Sequence, residues 1–552
     1  MQQNQHIAEL GPLMERRGIR HVVIAPGSRN APLIQLFTST PVFRCHSIVD
    51  ERSAAYVALG MAKELREPVA VVTTSGTAVM NLAPATAEAF FQNIPLVLMT
   101  ADRPAEPVRQ FNNQRIDQVA PFYNHTKGFY EMPMEPRTGE EVTGALQAVE
   151  ALLKESVEHP PGPVHINIPL LEPLYEPLPA PVFSDKILSS PSDEGFDPST
   201  VVPSEIRSQG KILVLAGMEE YDQEAISTLS AWCGSAPVAV VAENLSNIPP
   251  GWAIGNPEPV LAGASEEELL ALRPDLVIGM GGQQVSKRLK HFIQTSTGID
   301  LLQVEGDPST WIRQNLAGVK EGSGGSGENS GTGGINPYLK VWKQLESRQM
   351  QKMKGAMEEA PFSNLTVVGE VLRRVPAGSV VHLGNSSTVR YSQFLTTRSD
   401  LVYRANRGTS GIDGSVSAAA GSAMVSGRQH LLVVGDLSFV YDCHALWNRN
   451  FPDNLRIVVI NDGGGGIFRL LDGPDRMPFF EEYSVTHHPV SIELLAQAYG
   501  HGFLRASGPE ELESALGALF SREPAAKVLE VDTTGSENSL IFKAFIKKIS
   551  SK

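Results

Sequence analysis

Short apolar runs, each closed by small or turn-forming residues and followed by a stretch with helical spacing, recur along this chain in three clusters. The first cluster holds HVVIAP (21–26), VAVVTT (69–74) and PLVLMTA (95–101). The second holds KILVLAG (211–217), VAVVAE (238–243) and DLVIGMG (275–281). The third holds SVVHLGN (379–385), LVYRAN (401–406), HLLVVGD (430–436), LRIVVIND (455–462) and AKVLEVD (526–532). Runs this short and this apolar suit strands buried on both faces, and the helical stretches between them supply the cover. The expected fold class is therefore α/β, built as three doubly wound parallel-sheet domains, over 1–180, 200–345 and 360–552. A chain of 552 residues has room for all three.

Two stretches separate the clusters. EPLPAPVFSDKILSSPSDEGFDPST, crossing about 176 to 200, reads as a linker because Pro, Ser and Asp dominate it. EGSGGSGENSGTGG (321–334) contains the letters of a dinucleotide-binding G-x-G-x-x-G at Gly322 to Gly327. No strand pattern feeds that match and no helix follows it directly, so it reads as a flexible insert.

Charge and cysteine content narrow the function. A net charge of −15 argues against general nucleic-acid binding, which needs an electropositive face. Cys45, Cys233 and Cys443 are odd in number and widely spaced, which supports neither a disulfide framework nor a cysteine zinc site. The opening MQQNQHIAEL lacks the basic then apolar pattern of a signal peptide. The uncharged stretch 68–87 is broken by polar residues, Gly and Pro. The expectation is a cytoplasmic protein with no membrane span.

The chemistry concentrates where apolar runs end in acids. HLLVVGDLSFVYD stops its run at Gly435-Asp436, with Phe439 to Asn448 expected as a helix, and that strand-to-helix edge is where open α/β sheets bind ligands. Asp436 by itself would also serve as a helix cap. The next run ends in Asn461-Asp462-Gly463, so a second acid occupies the equivalent edge. Two acids, one backbone carbonyl and a diphosphate would complete the oxygen shell of magnesium, and Gly463 to Gly466 let the backbone come close to phosphate.

G-D-x-S, a spacer of about 25 residues and an N-D-G-G ending resemble the diphosphate-binding motif of thiamine-diphosphate enzymes. That resemblance implies thiamine diphosphate held through Mg²⁺ or Mn²⁺, with Asp436, Asp462 and the Gly464 carbonyl as ligands and Gly435, Leu437, Ser438, Gly465 and Ile467 beside the cofactor. Family members usually carry Asn at the second ligand position, so Asp462 departs from the pattern and Asn461 stands as the alternative. The resemblance also implies a glutamate facing the cofactor's pyrimidine from a neighbouring subunit, and in VDERSAAYVALG that residue is Glu51. Without the motif, Glu51 reads as an ordinary acid at a helix start; with it, a carboxyl shifting the pyrimidine's tautomer becomes the catalytic group.

Further segments are similar to one branch of these enzymes, the MenD family of the menaquinone pathway, which joins 2-oxoglutarate to isochorismate. They are APGSRNAPL (25–33), VDERSAAYVALG (49–60), TSGTAVMNL (74–82), TADRP (100–104), NNQRI (112–116), GNSSTVR (384–390), NRGTSGIDG (406–414) and GDLSFVYD (435–442). The likeness implies a transferase that contacts isochorismate through Ser28, Arg29, Arg103, Asn113, Gln114 and Lys287. It places Ser386, Arg390 and Arg407 near the 2-oxoglutarate arm, Ser386 and Ile412 beside the cofactor, and Phe468 and Leu471 with Ile467 as an apolar wall. Arg288 and Lys290 remain alternatives to Lys287, and any single arginine here could be a surface ion pair. Both substrates are dicarboxylates, which the arginine fork suits. The family pattern also implies a homodimer or a dimer of dimers. The competing readings are another thiamine enzyme with smaller substrates and a non-catalytic nucleotide- or metal-binding α/β protein.

Overall fold

The computed structural model describes residues 4–104, 114–182, 187, 210–316, 336–471, 473–521 and 527–551. Most of the 176–200 linker and the whole 321–334 insert lie outside the described residues.

Among the described residues sixteen strands form three sheets, parallel at every pairing. The first contains β1 (His21–Ile24), β2 (Arg44–Ser47), β3 (Val69–Thr73), β4 (Leu96–Asp102), β5 (Gly128–Glu131) and β6 (Val164–Pro169), in the order β2-β1-β3-β4-β6-β5. The central sheet contains β7 (Ile212–Ala216), β8 (Val238–Ala242), β9 (Leu276–Met280) and β10 (Asp300–Gln303), in the order β10-β9-β7-β8. The third contains β11 (Val380–Leu383), β12 (Val402–Arg404), β13 (His430–Gly435), β14 (Leu455–Asn461), β15 (Gly502–Ala506) and β16 (Lys527–Asp532), in the order β12-β11-β13-β14-β16-β15.

Interior strands such as β1, β3 and β4 are buried along their whole length because helices cover both faces. The strands that the sequence pattern passed over are mostly edges. RCHS of β2, GFYE of β5 and DLLQ of β10 are half-buried or exposed, and only one side of an edge strand needs apolar residues. The stretch expected as a helix over Phe439 to Asn448 differs: the helix is Asp436–Tyr441, and a 3₁₀ turn, Cys443–Trp447, follows it. Asp436 opens the helix itself.

The first and third units are joined by helices in equivalent positions, Glu51–Leu65 after β2 and Ser415–Met424 after β12. Asp50 caps the first of these by accepting from the Ser53 amide at 2.9 Å, and Arg66, at φ 57°, ends it. The two helices cross at a glycine from each side. A Cβ on Gly60 would stand 2.0 Å from the Ala418 carbonyl oxygen, and one on Gly421 would stand 2.0 Å from that of Val57. Any larger side chain at either position would wedge the units apart. The long helix Pro337–Glu358 links the central unit to the third: Tyr338, Trp342 and Leu345 belong to the central core, whereas Met353 and Ala356 belong to the third.

Candidate active site

Adjacent strand ends of the third sheet bring two acids together. Asp436 is 1% exposed; its Oδ1 accepts from the Leu437 amide at 2.8 Å, and its Oδ2 accepts from the Gly464 amide at 2.8 Å. His488 Nε2 lies 3.2 Å from the same Oδ2. One strand over, Asp462 Oδ2 accepts from Asn364 Nδ2 at 2.7 Å. Asn461 turns away: its Nδ2 donates to Glu530 Oε1 on β16 at 2.7 Å, and its Oδ1 accepts from the Gly463 amide at 3.1 Å. Successive side chains on a strand end point to opposite faces, so only one of the pair can join Asp436. The structure puts Asp462 there.

Both acids line a cavity of about 200 Å³. Burial, followed by the charge of Asp436, pushes the Asp462 carboxyl up to about 7, and burial also raises that of Asp436. A buried carboxylate whose proton affinity is raised by a neighbouring carboxylate favours a hard cation between the two. Among the described residues no group of three or more His, Cys, Asp or Glu side chains could hold a metal, so such a cation needs backbone and ligand oxygens as well. The glycine turn fits that requirement. Gly464 has φ 141°, and a Cβ there would come within 2.4 Å of the Val485 carbonyl oxygen, so no other residue fits. Its carbonyl accepts from the Gly466 amide at 3.0 Å.

The expected cofactor contacts Gly435, Leu437, Ser438, Gly465 and Ile467 line the same cavity. Ser386 lines it too, with φ 73°, a conformation that disfavours any residue with a Cβ and that clusters at functional sites. Ser438 Oγ donates to the Ile412 carbonyl at 2.6 Å, fixing the chain that holds the Ile412 side chain on the cavity wall. Phe468 is also on this wall, whereas Leu471 is not. His488, Asn364 and Tyr391 are neighbours that the sequence reading missed. They come from segments outside any motif, and nothing local marks them.

Glu51 is the first residue of its helix, and burial and then Asp50 raise its carboxyl above the ordinary range, opposed by its own amide. The helix start is held against the third unit, with His444 Nδ1 2.6 Å from Asp50 Oδ2 and Arg52 donating to the Tyr441 carbonyl at 2.8 Å. Glu51 nevertheless does not line the cavity of its own chain.

The four singled-out arginines share one property: the Nε of Arg29, Arg103, Arg390 and Arg407 is buried with no hydrogen-bond partner among the described residues. Arg29 spends its other nitrogens on the Leu170 carbonyl and Glu172, each at 3.1 Å. Arg407, 7% exposed, donates to Asn385 Oδ1 at 3.3 Å. Ser28 is exposed beside Gly27, whose missing Cβ would strike Thr74, so the loops after β1 and β3 touch. Gln114, at φ 60°, accepts from Ser75 Oγ through its carbonyl at 3.1 Å, while Asn113 lies outside the described residues. In the central unit, Arg288 is committed to Glu258 at 3.3 Å. Lys287 and Lys290 both have depressed pKa values, through burial first and then Arg390 for Lys287 and Arg407 for Lys290. Two lysines and two arginines therefore stand close enough to oppose one another's charge. Lys290 was readable as the i+3 neighbour of Lys287 on one helix face.

The match to known families follows this geometry. Residues 7–120 match the thiamine pyrophosphate enzyme N-terminal TPP binding domain, and 384–531 match the C-terminal TPP binding domain. The first and third units are thus those of a thiamine-diphosphate enzyme. Benzoylformate decarboxylase from Polynucleobacter necessarius has the same fold, with a TM-score of 0.69 over 97% of this chain and 99% of its own, at 16% identity. Full-length relatives narrow the class. The 2-succinyl-5-enolpyruvyl-6-hydroxy-3-cyclohexene-1-carboxylate synthase of Desulfotalea psychrophila is 38% identical over 531 residues, covering 92% of this chain and 95% of its own. Synthases of the same name from Flavobacterium psychrophilum (34%, covering 97% and 96%) and Cytophaga hutchinsonii (33%, covering 99% and 99%) match as well. The chain belongs to the family of these synthases.

Proposed function

We propose that this chain decarboxylates 2-oxoglutarate and joins the remaining four-carbon unit to isochorismate, releasing CO2 and forming 2-succinyl-5-enolpyruvyl-6-hydroxy-3-cyclohexene-1-carboxylate for menaquinone biosynthesis. The observation that carries this reading is the full-length similarity to synthases of that product, at up to 38% identity. Thiamine diphosphate, when bound, supplies the carbon nucleophile. The chain's own residues do the rest. Asp436, Asp462 and the Gly464 carbonyl hold Mg²⁺ against the diphosphate, and Ser386, Ile412 and Ile467 shape the cavity beside it. Glu51 holds a proton at the pyrimidine nitrogen and so sets the cofactor's tautomer.

The substrates are bound by charge. Arg390 and Arg407 take the 2-oxoglutarate side, while Ser28, Arg29, Arg103, Gln114 and Lys287 take the isochorismate side. An arginine Nε that is already desolvated and has no partner among the described residues gains from a carboxylate, because that nitrogen has no internal bond to give up. Since Glu51 is absent from its own chain's cavity, a second copy must supply it, which supports a homodimer. Val49 and Tyr123 on the first unit, 53% and 77% exposed, and Tyr441 and Trp447 on the third, 52% and 47% exposed, are apolar surface that such a partner would cover. No helix among the described residues is long and apolar enough to cross a membrane, and we place the enzyme in the cytoplasm.

The test is direct. The protein is incubated with thiamine diphosphate, Mg²⁺, 2-oxoglutarate and isochorismate, and the products are identified by mass. The expected product combines both substrates less CO2. Release of a free aldehyde with isochorismate left unconsumed would make the chain a simple decarboxylase instead.

A further inference from the structure

The loop Arg407–Thr409 is held from two other units of the chain. Glu88, on the first-unit helix Ala83–Phe91, is 1% exposed. Its Oε1 accepts from the Gly408 amide at 2.7 Å and from Gln92 Nε2, and its Oε2 accepts from the Thr409 amide at 2.7 Å and from Thr409 Oγ1 at 2.6 Å. Four donors fill both oxygens, and three of them belong to this one loop. From the central unit, Gln283 Nε2 donates to the Gly408 carbonyl at 3.2 Å. Gly408 also lies so close to the first unit that a Cβ on it would stand 2.6 Å from the Glu88 carbonyl oxygen.

A buried carboxylate is expensive to desolvate, and a merely structural loop anchor could be neutral. What this one orients is the residue next to Gly408. Arg407 is 7% exposed, makes one long bond to Asn385 and leaves Nε without a partner among the described residues, so its own side-chain contacts there do little to hold it. Its place is set by the backbone of the following two residues.

We propose that Glu88 is a positioning residue for Arg407. It reaches across from the first unit to fix the Arg407–Thr409 backbone so that the Arg407 fork meets a carboxylate of the 2-oxo acid. The proposal rests on the reading of Arg407 as a substrate contact. Glu88→Gln puts an NH2 group where the carboxylate meets only donors, so at least two of the four bonds are lost. Thr409→Val removes one bond and leaves both amides in place. Glu88→Asp keeps charge and acceptors but shortens the reach.

The experiment measures KM for each substrate, kcat, and thiamine diphosphate affinity on the holoenzyme for Glu88→Gln, Glu88→Asp, Thr409→Val, Arg407→Ala and the double variant Glu88→Gln/Arg407→Ala. Glu88→Gln is expected to raise the KM for 2-oxoglutarate roughly 10- to 100-fold, leaving cofactor affinity and the KM for isochorismate within about 1.5-fold. Glu88→Asp should recover part of the loss, and Thr409→Val should give a rise of about 3-fold in the same KM. The double variant should be no worse than Arg407→Ala alone, because both changes remove one interaction. A 2-oxoglutarate KM unmoved by Arg407→Ala would overturn the underlying assignment of Arg407. Arg407→Ala raising it while Glu88→Gln does not, or effects that simply add in the double variant, would overturn the positioning role. If Glu88→Gln fails to fold, Thr409→Val carries the decision, and an unchanged KM there overturns the proposal.

Discussion

The first and third units follow one chain path and carry different residues at their strand ends. Their strand orders, β2-β1-β3-β4-β6-β5 and β12-β11-β13-β14-β16-β15, superimpose element for element. After β3 the first unit has Thr74-Ser75-Gly76, and after β4 it has Arg103. At the matching edges the third unit has Gly435-Asp436 and Asp462-Gly463. Hydroxyls and a guanidinium stand where the other sheet carries carboxylates and glycines. The sheet therefore decides only where a site lies, and the loop residues decide its chemistry; on the proposed function these loops would hold anionic substrate in the first unit and cation-bridged diphosphate in the third. The helices that follow β2 and β12 press together through Gly60 and Gly421, so the two halves cannot be tuned independently.

Four experiments test this division. Asp436→Ala should weaken Mg²⁺-dependent binding of thiamine diphosphate by more than about 100-fold, because one partner of a buried ionic site is lost. Isothermal titration with and without Mg²⁺ checks it, and unchanged affinity would remove the third unit's claim to the diphosphate. Glu51→Gln should lower turnover about 100- to 10,000-fold while cofactor affinity stays near wild type. Exchange of the cofactor's C2 proton with deuterium, followed by NMR, reads this step alone, and wild-type exchange would refute the role.

The arginines sharpen the contrast. Arg390→Ala should slow formation of the decarboxylated adduct from 2-oxoglutarate by roughly 30-fold or more, whereas Arg29→Ala or Arg103→Ala should form it normally and transfer it poorly to isochorismate. Single-turnover kinetics with and without isochorismate separates the two; equal damage to the first step by all three would erase the division.

The last test falls on stability, at the joint itself. Although burial opposes it, Arg404 and then Arg428 hold Glu64 at about 2, below its ordinary 4.5. Glu64 accepts from Arg404, from Arg428 at 2.9 Å and from Ser422 at 3.0 Å, which ties the first unit to the third. A carboxylate with a lowered folded pKa stabilises above its unfolded value and loses that contribution as pH falls through the folded one. Glu64→Gln should therefore destabilise by about 3 kcal/mol at neutral pH. Urea unfolding should show the gap to wild type closing between pH 4.5 and pH 2, and a gap independent of pH would mean the ion network contributes nothing.

Much of the site was legible because it obeys local rules. Asp436 and Asp462 each terminate an apolar run, and a run's end marks the sheet edge whatever surrounds it. Arg29, Arg103 and Arg407 sit in loops beside such ends and Arg390 in the short helix Ser387–Tyr391 after β11, and each Nε has no partner among the described residues. His488 was not legible, since its contact with Asp436 spans 52 positions and no pattern connects them. The helix after β13 was placed three residues late because Asp436 and Ser438 read as caps before it, whereas the helix begins on the acid.

What the sequence by itself determined is most of the buried strands, though not β6, together with the grouping into three parallel sheets and the acids at the strand ends, since periodicity and turn residues act over a few positions. Tertiary structure alone decided which neighbour faces inward. Asn461 and Asp462 are equivalent as letters, and only the pairing of β14 with β16 turns Asn461 to Glu530 and Asp462 to the cavity. It alone decided that Glu88 meets Gly408 across 320 positions and that Gly60 meets Ala418. Contacts of that span depend on how whole sheets and helices pack, and a close approach of backbones leaves no periodic trace in the chain that makes it.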